Sequence, residues 1–432
     1  MEKILGGVTA AKGFQAANTA AGIKYKDRDD MALIYSEVPC QAAGTFTKNV
    51  VKAAPVKWDK KVVKESKFAQ AVVINAGIAN SCTGEEGMAY CKQTADAAAE
   101  TLNIPGEAVL VASTGVIGMQ LPMDKLVSGI HAMAPSLSDT LEAGSAAAKA
   151  IMTTDTHKKE AAVQIEIQGK KVTIGGMSKG SGMIHPNMCT MLAFITTDVK
   201  ISHELLQEAL SSVVDDTYNM ISVDGDTSTN DTCVVLANGM AGNQEIATKN
   251  QDYEAFVEAL FEVNKTLAKM MAGDGEGATA LFEVKVLEAR NKEEAVTLAK
   301  SVVTSSLTKA AIYGHDANWG RILCALGYSG VEFDPEKVDL YFESVKGKLQ
   351  IVKDGVALDY SEEEATNILT SDAVTAICVM HQGSGEATAW GCDLTHEYVT
   401  INADYRSKKM KRGDRNGRKK YAADYGKGRG ID

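Results

Sequence analysis

Short apolar runs alternate with stretches of helical composition along almost the whole chain. This alternation restricts it to an α/β or α+β architecture with a substantial sheet. Residues 71–76 (AVVINA) and 109–112 (VLVA) read as buried strands, and the Ala-rich stretch 87–102 between them as a helix. Val163, Ile165 and Ile167 alternate with polar residues, and Val172 and Ile174 do so again beyond Gly169, the pattern of a hairpin with one buried face. A further buried strand is expected at 191–196, followed by a helix over 203–216 with Ser202 as its cap. Strands at 232–237 and 281–287 flank a helix at 252–271, and strands at 338–342, 349–352 and 374–380 accompany a helix at 361–369. The length of 432 residues allows two or three domains, but with seven prolines no Pro-rich linker marks a boundary between them.

Charge separates one part of the chain from the rest. Residues 408–432 carry ten Lys or Arg against three Asp, a net charge of +7 within a total of −11. With almost no aliphatic residues this tail cannot build a core, and it reads as a disordered extension, with a nucleic-acid or anionic-surface role as the alternative. The acidic body argues against nucleic-acid binding by the protein as a whole. No run of 18 apolar residues exists, so no membrane-spanning helix is expected. The N-terminal residues are too weakly apolar for a signal peptide, which points to a cytoplasmic protein. None of the eight cysteines forms a CxxC pair or sits at zinc-ligand spacing from histidine. They read as free, mostly buried thiols, with no metal and no cofactor implied.

The segment with most chemistry in it is 179–198, KGSGMIHPNMCTMLAFITTD. A Gly-Ser-Gly stretch leads through His185 to Cys189-Thr190 and directly into an apolar strand. A threonine held at a strand start behind mobile backbone has the arrangement that internal proteolysis needs: its hydroxyl attacks the carbonyl of the preceding residue, Cys189, and the peptide rearranges to an ester. Cleavage then gives Thr190 a free α-amine of pKa about 7.7–8.0, able to serve as base for its own hydroxyl. Read alone, the same residue is a threonine at the start of a core strand.

Four other strings add to this. Residues 113–118 (STGVIG) follow the strand at 109. A threonine hydroxyl beside a glycine N–H makes an oxyanion hole there, or the string is an ordinary strand-to-helix turn. Residues 273–279 (GDGEGAT) lack the phosphate-loop pattern, and a carboxylate among glycines suits an ammonium group, or else a helix C-cap. Residues 224–232 (DGDTSTNDT) fail the EF-hand test because Val235 stands where the bidentate Glu belongs, which leaves a hydrogen-bonded structural loop near the site. In 308–321, His315 beside Asp316 invites a catalytic reading, against that of a satisfied turn histidine.

Together these strings, with MTTDT at 152–156, GHDANWGRI at 314–322 and INADYRS at 401–407, resemble the ornithine acetyltransferase (glutamate N-acetyltransferase) family of arginine biosynthesis, over residues 7–407. The resemblance implies a layered α/β sandwich like that of self-processing aminopeptidases. It implies cleavage between Cys189 and Thr190 into an α chain 1–189 and a β chain 190–407, followed by the tail 408–432. It implies Thr190 as nucleophile and Thr114 and Gly115 as oxyanion hole. Substrate contacts are implied from Thr153 (with Thr154 and Thr156 as alternatives in the same string), Lys179, Thr190, Glu276, Asn402 and Ser407. The implied substrates are N-acetylornithine and glutamate, with acetyl-CoA left open as a second donor, and the implied assembly is an α2β2 heterotetramer. Two departures stand out: Cys189 replaces the family's usual alanine, and the tail follows the usual end. A self-processing aminopeptidase on the same scaffold, or a nonenzymatic binding protein, are the competing readings.

Overall fold

The computed structural model describes residues 1–185 and 191–403. Of the positions named above, Cys189, Thr190, Ser407 and the tail 408–432 lie outside the described residues.

In chain order the strands are β1 (Glu2–Ile4), β2 (Phe14–Thr19), β3 (Met31–Phe46), β4 (Phe68–Ile78), β5 (Val109–Val116), β6 (Lys159–Ile167), β7 (Lys170–Lys179), β8 (Leu192–Thr197), β9 (Ile221–Ser222), β10 (Thr232–Ala237), β11 (Leu281–Ala289), β12 (Asp339–Ser344), β13 (Gly347–Lys353), β14 (Val356–Ala357), β15 (Ala373–Val379) and β16 (Gly385–Cys392). The helices are α1 (Ala54–Lys61), α2 (Glu86–Leu102), α3 (Met123–Met133), α4 (Leu141–Ala150), α5 (His203–Asp216), α6 (Gln251–Gly273), α7 (Lys292–Thr304), α8 (Ser306–Tyr313), α9 (Trp319–Gly327), α10 (Glu362–Leu369) and α11 (His396–Ala403). No described helix is long and apolar enough to cross a membrane.

The strands form two sheets, so the fold is mixed α/β as the sequence suggests. The first sheet has nine strands in the order β1-β6-β7-β8-β10-β3-β4-β5, with β2 added along β3. The second has seven, in the order β14-β13-β12-β15-β11-β16-β9. Helices α5 and α6 lie against the first sheet, and α6 also reaches β11 and β16 of the second. One apolar core therefore runs through both sheets: Ile174 and Ile195 of the first share it with Phe256, Leu260 and Val263 of α6 and with Phe282 and Val284 of the second. Helix α4 closes a separate core on β2, β3 and β4, where Ala147 and Ala148 meet Phe14, Ile34 and Ile74. Helices α2 and α3 bury Ala95, Ala98, Leu126 and Ile130 against Leu33, Val73 and Val111.

The hairpin is present, with Ile165 opposite Val172 and Val163 opposite Ile174. Its expected single buried face is not. Strand β7 is buried without interruption from Val172 to Lys179, because α6 covers it and the backbone of Gly7 presses on it closely. A Cβ on Gly175 would stand 2.1 Å from the Gly7 carbonyl oxygen. Ser202 does precede α5, but its side chain makes no capping hydrogen bond. Strand β8, wholly apolar at its start and buried along its length, pairs antiparallel with β7 and parallel with β10. This is the continuous hydrophobic pattern that a strand covered on both faces requires.

Candidate active site

The wall of the site is built where β4 and β5 run parallel to their ends, with Ala76 opposite Thr114 and Gly77 opposite Gly115. Gly115 has φ +130°, and a Cβ there would lie 2.3 Å from the Gly77 carbonyl oxygen, so no larger residue fits. The string 113–118 is thus the extended end of a strand up to Val116, where a turn was one expectation. Ser113 is fixed from two sides: its Oγ accepts from the Asn80 amide at 2.8 Å and from Asn230 Nδ2 at 3.2 Å, and its carbonyl accepts from Asn230 Nδ2 at 2.9 Å. This holds the next two residues, Thr114 and Gly115, against a cavity of about 290 Å³.

Widely separated chain segments meet at that cavity. Thr114 and Gly115 line it together with Thr153 and Thr154, Lys179, Glu276 and Asn402. The chain also reaches the cavity at Ile184 and leaves it at Met191 and Leu192, so both described flanks of residues 186–190 face it. The loop 224–232 pins both flanks. Asp224 accepts from the Met183 amide at 2.6 Å and the Ile184 amide at 2.9 Å, and Thr227 Oγ1 donates to the His185 carbonyl at 2.8 Å. On the far side the Thr232 amide donates to the Met191 carbonyl at 2.9 Å. The string that resembles a calcium loop is therefore a hydrogen-bonded clamp, with both Asp224 oxygens already used.

Charge is concentrated and buried here. Lys179 Nζ donates to Thr114 Oγ1 at 3.2 Å. Burial lowers the pKa of Lys179; Asp155, Asp231 and Glu276 oppose that effect and the like charge of Lys159 adds to it. Glu276 Oε2 accepts from Asn402 Nδ2 at 2.7 Å. Gly182 makes room for that carboxylate, since a Cβ there would lie 2.4 Å from it. Asp231 lines the cavity with 1% of its surface exposed, and its Oδ2 has no hydrogen-bond partner among the described residues. Burial pushes the Asp231 carboxyl well above the ordinary range, against the pull of the Ser228 and Thr47 hydroxyls, Lys179 and the Met191 amide. His185 is pushed down to about 4, first by burial and then by Lys300.

Beneath the cavity Lys159 bonds Asp155 at 2.7 Å and Asp274 at 2.6 Å, with all three side chains at most 2% exposed. Burial would raise the Asp155 carboxyl, but Lys179 and Lys159, with a hydrogen bond from the Thr153 amide, hold it well below the usual range. Asp155 Oδ1 also accepts from the Gly180 amide at 2.7 Å. Asp274 also takes the amide and hydroxyl of Thr156.

The structure brings Thr114, Gly115, Thr153, Lys179, Glu276 and Asn402 together on one cavity. Of the three threonines in 152–156, Thr153 and Thr154 face the cavity, whereas Thr156 is turned to Asp274. His315 and Asp316 do not line it. They sit in the turn before α9, where Asn318 caps the helix by accepting from the Arg321 amide and donates to Asp316. The sequence reading missed Asn230, Asp231 and the Asp155–Lys159–Asp274 set. The two aspartates of that set lie inside strings dense in Gly, Asp and Thr, which was a usable signal. Lys159 lies in none.

The chain is 50% identical to the arginine biosynthesis bifunctional protein ArgJ of Thermotoga neapolitana, over 92% of this chain and 99% of that one. It is 52% identical to arginine biosynthesis bifunctional protein ArgJ 1 of Clostridium acetobutylicum, over 93% of this chain and 97% of that one. Among solved structures, the arginine biosynthesis bifunctional protein argJ of Bacillus halodurans is 48% identical over 49% of this chain and 98% of that chain, with a TM-score of 0.47. The ArgJ family model matches residues 15–407, and on that match and these relatives the chain belongs to the ArgJ family.

Proposed function

We propose that the cavity transfers an acetyl group from N2-acetylornithine to glutamate through an acetyl-threonine at Thr190. The observation that carries this reading is the meeting, beside the segments that flank residues 186–190, of a hydroxyl–glycine pair, a buried lysine and a buried carboxylate. Thr190 is joined by one peptide bond to Met191, which lines the cavity.

In this reading the bond between Cys189 and Thr190 breaks first, by attack of the threonine hydroxyl and hydrolysis of the resulting ester. The freed α-amine then takes the hydroxyl proton as Thr190 attacks the acetyl carbonyl of acetylornithine. Thr114 Oγ1 accepts from Lys179, so its own proton is free to be given to the developing oxyanion beside Gly115. The proton passes to the departing ornithine α-nitrogen as the C–N bond breaks. The α-amine of glutamate then attacks the acetyl-threonine, releases acetylglutamate and returns the hydroxyl. Lys179 faces the substrate carboxylate, and Glu276, held by Asn402, faces the ornithine ammonium. Thr153 or Thr154 and Ser407 complete the substrate contacts. The relatives' names carry the word bifunctional, and we extend it to acetyl-CoA as a second source for the same acetyl-threonine.

The sheet supports a two-chain protomer. Strands β8 and β10 follow residue 190, yet they sit between β7 and β3, which precede it. The α chain 1–189 and a β chain from Thr190 would stay joined by strand pairing, and two such protomers would form the α2β2 heterotetramer.

Mass spectrometry of the purified protein tests the reading. Two polypeptides are expected, the second beginning at Thr190 and gaining one acetyl group on exposure to acetylornithine. Thr190→Ala is expected to remain a single chain and to make no acetylglutamate. A β chain beginning elsewhere, or full transfer activity in Thr190→Ala, would overturn it. Peptide hydrolysis without acetyl transfer would favour the aminopeptidase reading instead.

A further inference from the structure

Lys159 has no place in the reaction described above, yet it is among the most deeply buried large side chains in the protein. It stands at the start of β6, away from the cavity wall. Its ammonium is shared between two carboxylates, one bonded to the loop after Lys179 and the other carried on the loop of Glu276. Asp155 Oδ1 holds the Gly180 amide, one residue beyond Lys179. Asp274 lies two residues before Glu276, and its carbonyl accepts from Ser181 Oγ at 2.7 Å. Lys159 is therefore a charged cross-piece between the loop that presents Lys179 and the loop that presents Glu276, beside the bonds that Ser181 makes to the Asp274 carbonyl and the Glu276 amide.

A buried ion set is a poor device for stability alone, since well-packed apolar residues of the same volume often serve as well or better. Its return is fixed geometry: charge-assisted bonds of 2.6–2.7 Å tolerate little play. The geometry points to Lys159 as a positioning residue that sets the separation of Lys179 and Glu276, and thereby the length of dipolar donor the cavity accepts. This rests on the reading of the cavity given above, in which those two residues receive the opposite ends of acetylornithine. Misplacing one of two anchors costs the substrate that uses both far more than the substrate that uses one.

The test compares N2-acetylornithine with N2-acetylnorvaline, which has the same carbon chain without the terminal amine. The measurement is kcat/KM for each donor with glutamate, in the wild-type protein and in Lys159→Met. The expected result is a fall of about tenfold or more for acetylornithine and of less than about threefold for acetylnorvaline, so that the preference between them shrinks. An equal fall for both donors, or none for either, would overturn the inference and leave Lys159 a structural residue. If Lys159→Met does not fold, Asp274→Asn decides the matter, because it keeps an acceptor for Lys159 while removing the charge; the same shrinkage is expected, to a smaller degree. A wild-type protein that makes no acetylglutamate would bring down the reading of the cavity itself, a failure distinct from an unchanged preference in an active variant.

Discussion

Asp155 and Asp59 are both sealed from solvent, one against a lysine and the other against a strand amide. Asp155, with Asp274, grips Lys159 beneath the cavity, and its carboxyl lies well below the usual range although burial alone would raise it. Asp59, on α1, accepts from the Val111 amide at 2.8 Å, and its Oδ2 has no partner among the described residues. Burial pushes that carboxyl well above the usual range. Depth is nearly the same in the two places, so depth does not decide the charge; contact with a cation does. The region under the cavity is an ion set that can hold loops in register. The region under α1 holds a carboxyl whose protonated form burial favours.

The largest effect should come from removing a member of the paired set. Asp155→Ala leaves Lys159 with one carboxylate and Lys179 with less compensation, and a loss of about 3–5 kcal/mol in urea unfolding is expected. A loss below about 1 kcal/mol would erase the distinction drawn between the two regions. Thr114→Val separates the cavity wall from its foundation. It should cut kcat for acetyl transfer by about 10²–10³ while leaving the unfolding midpoint near that of the parent. A large drop in stability with little change in rate would reverse those roles.

Asp59→Asn probes the carboxyl under α1. A carboxyl whose folded pKa lies above its unfolded value near 3.9 contributes stability at low pH, and that contribution is lost as pH rises through the folded value. The parent should therefore weaken relative to the variant by about 1–3 kcal/mol between pH 4 and pH 8, and parallel stability curves would show that Asp59 is charged in place. The smallest effect belongs to His381, an exposed relative of the paired set. Its imidazole is held above the ordinary range first by the hydrogen bond to Asp339 and also by Glu288. Because the shift is upward, its contribution is present below about pH 6.5 and is lost as pH rises through the folded value. His381→Gln should cost less than about 1 kcal/mol at pH 5.5 and nothing at pH 9, as solvent-exposed pairs do.

The same contrast explains what the sequence discloses. Strand β8 and the hairpin of β6 and β7 are plain in the pattern of apolar residues, as are α5, α6 and α10, because each has one rhythm from end to end. The sixteen-residue β3, which pairs with β2, β4 and β10, escapes notice. Its rhythm breaks at Ser36–Glu37 and Pro39, where a bulge between Tyr35 and Cys40 shifts the register. At the site, Thr114, Gly115, Lys179 and Glu276 are legible because glycines beside polar groups are unusual and each string has an order. Asp231 is half-legible, inside such a string but without a stated role. Lys159 is illegible: with Lys158 and Glu160 on either side it looks like part of a solvated charge cluster, and only tertiary pairing reveals it. Thr190, which the sequence reading makes the nucleophile, lies outside the described residues.

The placing of β8 and β10 between β7 and β3 limits what a cut before β8 could do to the molecule. Any chain break between residues 185 and 191 leaves two polypeptides woven through a single sheet, neither of which has a complete set of neighbours alone. Halves synthesised from separate messages would each expose raw strand edges before meeting. A chain made as one polypeptide and folded before any such break would avoid that hazard, and the two pieces of a protomer broken afterwards could not be traded with another without unravelling the shared sheet.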